Sequence, residues 1–497
     1  MSIFFPPARV RPWCAACGAA LILALAPLFG TGPSAPGGRT APSFGWFRGK
    51  SLPVAAAAAL PAGPVPISEY GKADSAGRSL LLRWHKVRDD VAYELRLSAR
   101  GKVFYTGRFY VNGAHLVLPA DFREKSFTWQ VRVLAYDGSP ATEFSRPRKA
   151  LVDGKTQAPV YPLPLNGRNL LEAGAREAAE GLRREHGALV PAREQGVPAG
   201  VEAPEVYPYQ RGTTVLYPVY KWVHVDGADH YEVEILRDLP VSADREASAE
   251  KVIDRLYTTH FDAYDDMPRV SWSPMYWRVR ALDKEGRPLG VFSPPQRFTV
   301  NPLDHYDVAT LGDSITHGGG SVSGAPSDWE YDYQSYLDFD TVNLGRSGDT
   351  SADILARFDR DVLPFRPRYV LIMAGTNSLR GAVPASSVIA DLEALRRKCA
   401  AHGIRPVFLT LLPLNPDNIR QVIGQETAPD WQEKWAQVNR YIRTQPHIDL
   451  STKFTEGKPL PTSLSVDGLH PGVEGKRRIA EAINEQWNAV TGQGGIP

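Results

Sequence analysis

The chain has 497 residues, enough for about three domains of ordinary size. Its 57 lysine and arginine residues are nearly balanced by 55 aspartate and glutamate residues, which leaves a net charge of +2. With this balance, and without a basic run interleaved with aromatic residues, the composition excludes a protein that binds nucleic acid through an electropositive surface. The hydrophobic content of 43% is ordinary for a soluble globular protein.

The amino-terminal residues resemble a secretory signal. Arg9 and Arg11 precede an apolar run from Cys14 to Phe29, and a basic start followed by about fifteen apolar residues is typical of such signals. The run is short for a membrane span, which needs about twenty residues. We expect residues 1–30 to be a signal peptide or an N-terminal membrane anchor, and the protein to be exported to the periplasm, the cell surface or the medium.

The cysteines indicate neither a redox site nor a metal site. Cys14 and Cys17 form a C-x-x-C, but it lies inside the apolar amino-terminal run and not at the end of a strand. Cys399 lies in a stretch with a helical pattern, and we expect it to be a buried thiol. The sequence also lacks an H-x-x-x-H pair or a carboxylate cluster, so no metal is expected.

An internal repeat precedes the carboxyl-terminal part of the chain. Trp84–Leu97 matches Trp222–Ile235, with tryptophan and tyrosine nine positions apart in both copies. Further on, Trp129–Gly138 matches Trp277–Gly286. Apolar and polar residues alternate along these segments, which is typical of strands with one buried face.

The repeat predicts two small β-sandwich modules, over 67–155 and 204–301, because short strands separated by turns over about 90–100 residues are typical of that fold. The pattern resembles fibronectin type III domains. We expect the tryptophans to lie between the sheets and not to stack on a ligand. Sugar binding, protein docking and simple spacing all remain open as roles for these modules.

Two segments have the composition of linkers. Residues 31–66 are rich in proline, alanine and glycine, so we expect them to be disordered. Residues 156–203 have proline-rich flanks around a stretch rich in alanine, glutamate and arginine. We expect this second segment to connect the two modules and to carry one helix.

The pattern changes after Pro302, and we expect a separate domain over 302–497. Continuous apolar runs such as Tyr369–Ala374 are typical of parallel strands covered on both faces. Alternating strands and helices predict an open α/β sheet with functional loops at the carboxyl ends of the strands. The predicted strands are Asp307–Leu311, Phe339–Asn343, Tyr369–Ala374 and Val407–Leu412, and the predicted helices are Ser351–Arg360, Ala385–His402, Trp431–Thr444 and Val473–Val490.

Polar residues follow these strands in a set that suits nucleophilic catalysis. Ser314 ends a Gly-Asp-Ser that, taken alone, is more typical of a turn. A serine nucleophile needs a base to take its proton and a carboxylate to orient that base, and His470 and Asp467 supply both from one loop. It also needs donors for the carbonyl oxygen, and Gly348 and Asn377 follow the second and the third predicted strand.

The four segments that contain Ser314, Gly348, Asn377, and Asp467 with His470 resemble, in this order, the motifs of the SGNH or GDSL hydrolase (esterase/lipase) family. The resemblance covers Asp307–Val490. The resemblance implies an α/β/α flavodoxin-like domain in which Ser314 is the nucleophile and Asp467 and His470 complete a catalytic triad. It implies no cofactor. His317 is a weaker base candidate because it is too close to Ser314 along the chain.

The resemblance also implies an oxyanion hole made by the N–H groups of Ser314 and Gly348 and the side-chain amide of Asn377. Gly345 competes with Gly348 for this role, but the spacing from Asn343 fits the family pattern better with Gly348. Asn377 is followed by Ser378, where many members of the family have aspartate. The donor amide of Asn377 is retained.

The substrate is less well specified. Trp329 and Tyr331 lie in an aromatic insertion after the nucleophile, and Arg346 and Arg380 lie beside the oxyanion residues. These four residues suit an open, polar cleft for an acetylated sugar, although the aromatic residues would equally serve to pack the insertion on the sheet. Residues 415–430 form either a lid or a crossover loop.

An exported esterase with β-sandwich modules fits the removal of O-acetyl groups from polysaccharide, by analogy. A lysophospholipase, a thioesterase or an acyltransferase would use the same triad. A non-enzymatic binding protein is a further alternative, against which the complete set of site residues argues. Besides the ester substrate, the only other expected partner is a membrane, through an N-terminal anchor.

Overall fold

The computed structural model describes residues 79–152 and 213–492, with gaps, and three short strands elsewhere. The predicted signal segment, the C-x-x-C and the predicted linker helix lie outside the described residues. Within the described part of the chain, no helix is both long enough and apolar enough to cross a membrane. The gaps are 85–91, 110, 112, 119–121, 125, 136–137, 226, 242–244, 261 and 319–330, and the short strands are 39–40, 72–73 and 161–163.

The first β-rich region is a single sheet of seven strands. Alternate side chains are buried along Ser126–Leu134, as the period of two predicts. Leu82 from one end of the sheet packs in the same hydrophobic cluster as Leu95 and Val131 from the other, so the sheet folds over its own core. In spatial order the strands are Lys102–Phe109, Ala92–Ala99, Ser126–Leu134, Arg148–Val152, Lys72–Ala73, Ser79–Arg83 and Gly113–Val117.

The second β-rich region is a sandwich of a five-stranded and a three-stranded sheet. Trp222 in the smaller sheet and Trp277 in the larger belong to one hydrophobic cluster, so the core lies between the sheets. The larger sheet contains, in order, Arg39–Thr40, Val252–Thr258, His230–Leu236, Met275–Leu282 and Gln296–Phe298, and the smaller contains Asp262–Tyr264, Val219–Val223 and Tyr161–Leu163.

Two strands of this sandwich come from segments whose composition predicted disorder or a linker. Arg39–Thr40 pairs with Val252–Thr258, and Tyr161–Leu163 pairs with Val219–Val223. Each adds to a sheet edge, where unpaired backbone groups can accept another strand. The expectation of disorder throughout 31–66 is therefore wrong at these two residues.

The repeated tryptophans occupy equivalent places in the two regions. The rings of Trp84 and Tyr93 are 5.1 Å apart between centroids, and those of Trp222 and Tyr231 are 5.0 Å apart. The prediction that the tryptophans form the cores is confirmed, because all four are fully buried: Trp84, Trp129, Trp222 and Trp277.

The carboxyl-terminal domain is built around a six-stranded sheet in which all strands run parallel. The strands predicted from the apolar runs are confirmed, with ends shifted by a few residues, and their side chains are buried on both faces. The strands are β1 (Thr213–Val215), β2 (Val308–Gly312), β3 (Thr341–Asn343), β4 (Tyr369–Met373), β5 (Arg405–Leu409) and β6 (His447–Ile448), in the spatial order β1-β3-β2-β4-β5-β6.

The helices of this domain also follow the prediction. Cys399 is fully buried in one of them, as expected. Shorter helical turns are Pro302–Asp304, Tyr333–Tyr336, Leu363–Phe365, Pro416–Asn418, Ile419–Ile423 and Leu450–Thr452. The longer helices, with the short one that follows β2, are α1 (Ser314–His317), α2 (Ser351–Val362), α3 (Thr376–Arg380), α4 (Ala385–Ala401), α5 (Trp431–Ile442) and α6 (Val473–Thr491).

The first strand of the sheet comes from an unexpected part of the chain. β1 lies within the range predicted for the second β module, yet it pairs in parallel with β3. The N–H of Leu216 extends the pairing by donating to Asn343 O at 2.9 Å. Since Val219 already belongs to the sandwich, the chain passes from one fold into the other within a few residues.

Candidate active site

Ser314 is placed by the strand at the centre of the site. β2 lies between β3 and β4, and Ser314 begins α1 directly after it. A Cβ at Gly312 would lie 2.2 Å from Thr316 Oγ1 and 2.6 Å from Met373 O, so only glycine fits the turn. Asp313 caps α1 by accepting a hydrogen bond from the N–H of Ile315 at 3.0 Å. The hydroxyl is thereby held at the carboxyl edge of the sheet.

The structure brings Ser314, His470 and Asp467 into one hydrogen-bonded chain. Ser314 Oγ is 2.9 Å from His470 Nε2, and His470 Nδ1 is 2.7 Å from Asp467 Oδ2. An ionised carboxylate can only accept, so Nδ1 carries the imidazole hydrogen and donates to Asp467. Nε2 is then the acceptor for the Ser314 hydroxyl, which is the arrangement a general base requires.

Asp467 is held as a buried carboxylate. Its Oδ1 accepts hydrogen bonds from the N–H groups of Leu469 at 2.9 Å and His470 at 2.8 Å, and from Ser465 Oγ at 3.1 Å. Burial by itself would raise the pKa of Asp467, but the neighbouring His470 and the N–H donors outweigh it and hold that pKa below its usual value. The group therefore keeps the charge that stabilises a protonated imidazole.

Asn377, in α3 after β4, and Gly348, in the loop after β3, lie on either side of β2. Asn377 Nδ2 donates to the Asp349 carbonyl at 3.0 Å, and the second hydrogen of the same amide can donate to a substrate oxygen. Gly348 has a φ of +90°, and a Cβ built on it would meet nothing within 4 Å. The residue is exposed, in a conformation that favours glycine.

Gly345, the competing candidate, uses its N–H in a hydrogen bond within the protein. Its N–H donates to Asn343 Oδ1 at 2.9 Å, so that hydrogen is not available to a substrate. A Cβ at Gly345 would lie 2.3 Å from the backbone nitrogen of His317. The glycine is needed for close packing against α1, which leaves Gly348 as the better-placed donor.

His317 does not face the nucleophile. Its Nδ1 is 2.7 Å from Ser347 Oγ and its Nε2 is 2.6 Å from Tyr217 O. Both ring nitrogens are thus engaged away from Ser314, which agrees with its rejection as the base.

Arg357 organises the loops beneath the site, and sequence reasoning missed it. Its buried guanidinium donates to Gly312 O at 2.9 Å and to Leu344 O at 2.6 Å. It also pairs with the carboxylates of Asp349 at 2.5 Å and Asp361 at 3.0 Å. One side chain of α2 therefore ties together the loops after β2 and β3, and only the fold brings these partners to it.

The four residues predicted to bind the substrate differ in their burial and in their partners. Trp329 lies outside the described residues, and Tyr331 is buried, with 5% of its surface exposed. Arg346 is half-buried and pairs with Asp349 at 3.0 Å. Arg380 donates to Gln425 Oε1 at 2.8 Å, and burial lowers its pKa although Asp467 and Asp313 oppose that shift.

Metal-ligating residues are not clustered in the described part of the chain. No group of three or more histidine, cysteine, aspartate or glutamate side chains there could hold a metal ion. The titratable residues gathered at the carboxyl edge of the sheet are arranged instead as a hydrogen-bonded chain ending on a serine hydroxyl.

Comparison with known proteins gives matches to the carboxyl-terminal part of the chain. The sequence profile of the GDSL-like lipase/acylhydrolase family matches residues 310–478. The uncharacterized lipoprotein YqeF of Bacillus subtilis is 30% identical, over 36% of this chain and 89% of its own length. Esterase TesA of Pseudomonas aeruginosa is 29% identical, over 29% of this chain and 68% of its own length.

Among solved structures, a GDSL-like lipase from Bacteroides thetaiotaomicron is 24% identical, with a TM-score of 0.30, and the match covers 38% of this chain and 90% of that one. The family match over residues 310–478 includes Ser314, Asp467 and His470. Through its carboxyl-terminal domain, the chain belongs to the GDSL-like lipase/acylhydrolase family and is a hydrolase that acts on ester bonds.

Proposed function

We propose that the carboxyl-terminal domain is a serine esterase in which Ser314 is the nucleophile, His470 the general base and Asp467 the group that orients it. The observation that carries this proposal is the unbroken hydrogen-bonded chain from Asp467 through His470 to Ser314, at 2.7 and 2.9 Å. Ser314 stands at the carboxyl end of a central strand, where open α/β sheets commonly bind their ligands.

The reaction proceeds through an acyl-enzyme. Ser314 Oγ attacks the ester carbonyl carbon while its proton passes to His470 Nε2, and Asp467 stabilises the resulting cation. The carbonyl oxygen becomes negative and accepts hydrogen bonds from the N–H groups of Ser314 and Gly348 and from the Asn377 amide. The alcohol leaves with the proton from His470, which then activates water to release the acid.

We further propose that the natural substrate is an O-acetylated polysaccharide. Support comes from the polar groups around the site: Arg346 and Arg380 flank the oxyanion residues. Both arginine side chains are partly exposed. A guanidinium has five N–H donors, so each can donate to oxygen atoms such as those of a sugar.

The upstream regions and the amino terminus extend this proposal. We propose two fibronectin type III-like modules at 67–155 and 204–301, a linker at 156–203 whose strand Tyr161–Leu163 joins the second module, and a hydrolase domain at 302–497 to which β1 adds a strand. The basic and apolar pattern of residues 1–30 supports export, and a relative named a lipoprotein is consistent with it.

The test is hydrolysis of p-nitrophenyl acetate, of long-chain p-nitrophenyl esters and of acetylated xylan. Ser314→Ala should abolish turnover, whereas Ser387→Ala, on an exposed position of α4, should retain it. Preference for acetyl esters and release of acetate from xylan would support deacetylation. Preference for long acyl chains would reject the polysaccharide proposal, and equal inactivity of wild type and Ser314→Ala on every ester would reject the esterase itself.

A further inference from the structure

His317 joins the second β module to the loop that carries Gly348. It is the last residue of α1 and is fully buried. On one side its Nε2 is 2.6 Å from the carbonyl oxygen of Tyr217, and the ring of Tyr264 lies 5.1 Å away between centroids. On the other side its Nδ1 is 2.7 Å from Ser347 Oγ.

The directions of these hydrogen bonds follow from the chemistry of the partners. A backbone carbonyl can only accept, so His317 Nε2 carries the imidazole hydrogen and donates to Tyr217. Nδ1 is then an acceptor, and the Ser347 hydroxyl donates to it. Burial also lowers the pKa of His317 to about 3, so the ring stays neutral across the range in which an esterase works. Each of these two hydrogen bonds therefore has a fixed direction, from the Ser347 hydroxyl to His317 and from His317 to the Tyr217 carbonyl.

Ser347 directly precedes Gly348, so this chain acts on the backbone that donates to the oxyanion. Earlier in the same loop, the N–H of Arg346 donates to Gly312 O at 3.0 Å and ties the loop to β2. The Ser347 hydroxyl adds a second tie one residue before Gly348. With both ties in place, the peptide N–H of Gly348 is held against rotation at a φ of +90°.

We propose that Ser347 and His317 are positioning residues for the oxyanion hole, and that the second β module is part of the catalytic apparatus through the Tyr217 carbonyl. This inference rests on the proposed esterase function. It gives a reason for the position of β1, because β1 delivers Tyr217 to the side of α1. The module is then a support for the active site as well as an attached domain.

The alternative is that His317 only fills the interface between two domains. In that case, loss of the Ser347 hydroxyl would affect activity only as far as it affects stability. An effect on the oxyanion hole has a different signature, because the oxyanion exists only in the transition state. It lowers kcat by more than the change in melting temperature explains and leaves KM and the pH profile unchanged.

The experiment compares Ser347→Ala with Ser293→Ala in the full chain. Both substitutions remove one serine hydroxyl, and the Ser293 hydroxyl accepts from the N–H of Val279 at 3.1 Å within the second module, away from His317. Ser347→Ala should lower kcat about tenfold on every ester, less than the loss of a whole donor, at constant KM and with no greater loss of melting temperature than Ser293→Ala. Ser293→Ala should lower the melting temperature and leave kcat unchanged.

A second pair of variants keeps the test independent of folding. His317→Asn retains an acceptor near the position of Nδ1, so it should recover part of the kcat that His317→Ala loses. If Ser347→Ala kept the kcat of the wild type, or if its kcat fell only in step with its melting temperature, the inference would be overturned. The esterase proposal would still stand. A wild-type protein inactive on every ester would overturn both.

Discussion

Lys476 Nζ donates a hydrogen bond to the carbonyl oxygen of Ile315 at 2.5 Å, linking α6 to the short helix that begins with Ser314. The lysine is fully buried, and burial lowers its pKa to about 7 although Asp332, Asp313 and Asp467 favour its charged form. The amine is therefore partly uncharged near neutral pH, and it is a group that sequence reasoning missed.

This burial predicts a pH dependence of stability that Lys476→Met removes. The pKa of the lysine is about 7 in the folded protein and about 10.5 when unfolded. Between these values the unfolded chain binds more protons, so stability rises with pH, by up to about 1.4 kcal/mol per pH unit. The wild type should therefore gain stability relative to Lys476→Met as the pH rises from 7 to 10.

Urea unfolding of both proteins at pH 7 and at pH 9.5 measures this difference directly. Lys434→Met is the control for removing a lysine elsewhere, since Lys434 pairs with the half-exposed carboxylate of Asp430 at 2.9 Å. The difference in stability between the wild type and Lys434→Met at the two pH values is the baseline for the difference in Lys476→Met. A difference between the wild type and Lys476→Met that stayed constant with pH would show that the Lys476 pKa is not depressed.

Arg357→Met should destabilise the domain by about 3 kcal/mol or more, because it leaves two buried carboxylates with fewer cationic partners. These are Asp349 and Asp361, which Arg357 contacts at 2.5 and 3.0 Å. Arg478→Met breaks the i,i+4 pair with Glu474 at 3.2 Å on a partly exposed helix face and should cost less than about 1 kcal/mol. Urea unfolding at pH 7 compares the two variants, and equal losses would contradict the role assigned to Arg357.

Much of the site was predictable because its parts follow local rules. Ser314, Gly348 and Asn377 each follow a strand, and parallel strands bring their carboxyl ends to one edge. Asp467 and His470 lie three positions apart, so one loop presents both. The burial of the tryptophans was equally predictable, because alternation along a strand shows which side chains face a core.

The features of the fold and the site that were not predicted depend on contacts between distant parts of the chain, which leave no local pattern in the sequence. Lys476 meets Ile315 across 161 positions of the chain, and neither residue marks the other in the sequence. The strand β1 has only three residues and pairs with a strand more than a hundred positions later. For Tyr331 the sequence left two roles open, a cleft wall or packing of the insertion on the sheet, and the fold buries the residue.

Alanine substitutions at the two candidate glycines should separate their roles. Gly345→Ala places a Cβ against the backbone of His317 and should cost about 2–3 kcal/mol of stability. Gly348→Ala meets no atom but strains the positive φ, at about 1–2 kcal/mol. Because the strain shifts the proposed oxyanion donor, Gly348→Ala should lose more kcat than its melting temperature explains. If Gly345→Ala instead lost kcat at unchanged stability, Gly345 would be the better candidate for the donor.

Asn377→Ala should lower kcat by about 10²–10³ with little change in KM, since its amide serves an oxygen that becomes negative only in the transition state. The variant also loses the hydrogen bond from Asn377 to the Asp349 carbonyl at 3.0 Å, so a structural effect must be measured separately. Asn484→Ala, on α6, removes a similar bond to the Tyr336 carbonyl at 3.1 Å and a second one that Asn484 Oδ1 accepts from the N–H of Asp338 at 3.1 Å. Steady-state kinetics on p-nitrophenyl acetate, with melting temperatures for both variants, should show comparable stability losses and a kcat loss in Asn377→Ala alone. A rise in KM at constant kcat would instead assign Asn377 to ground-state binding of the substrate.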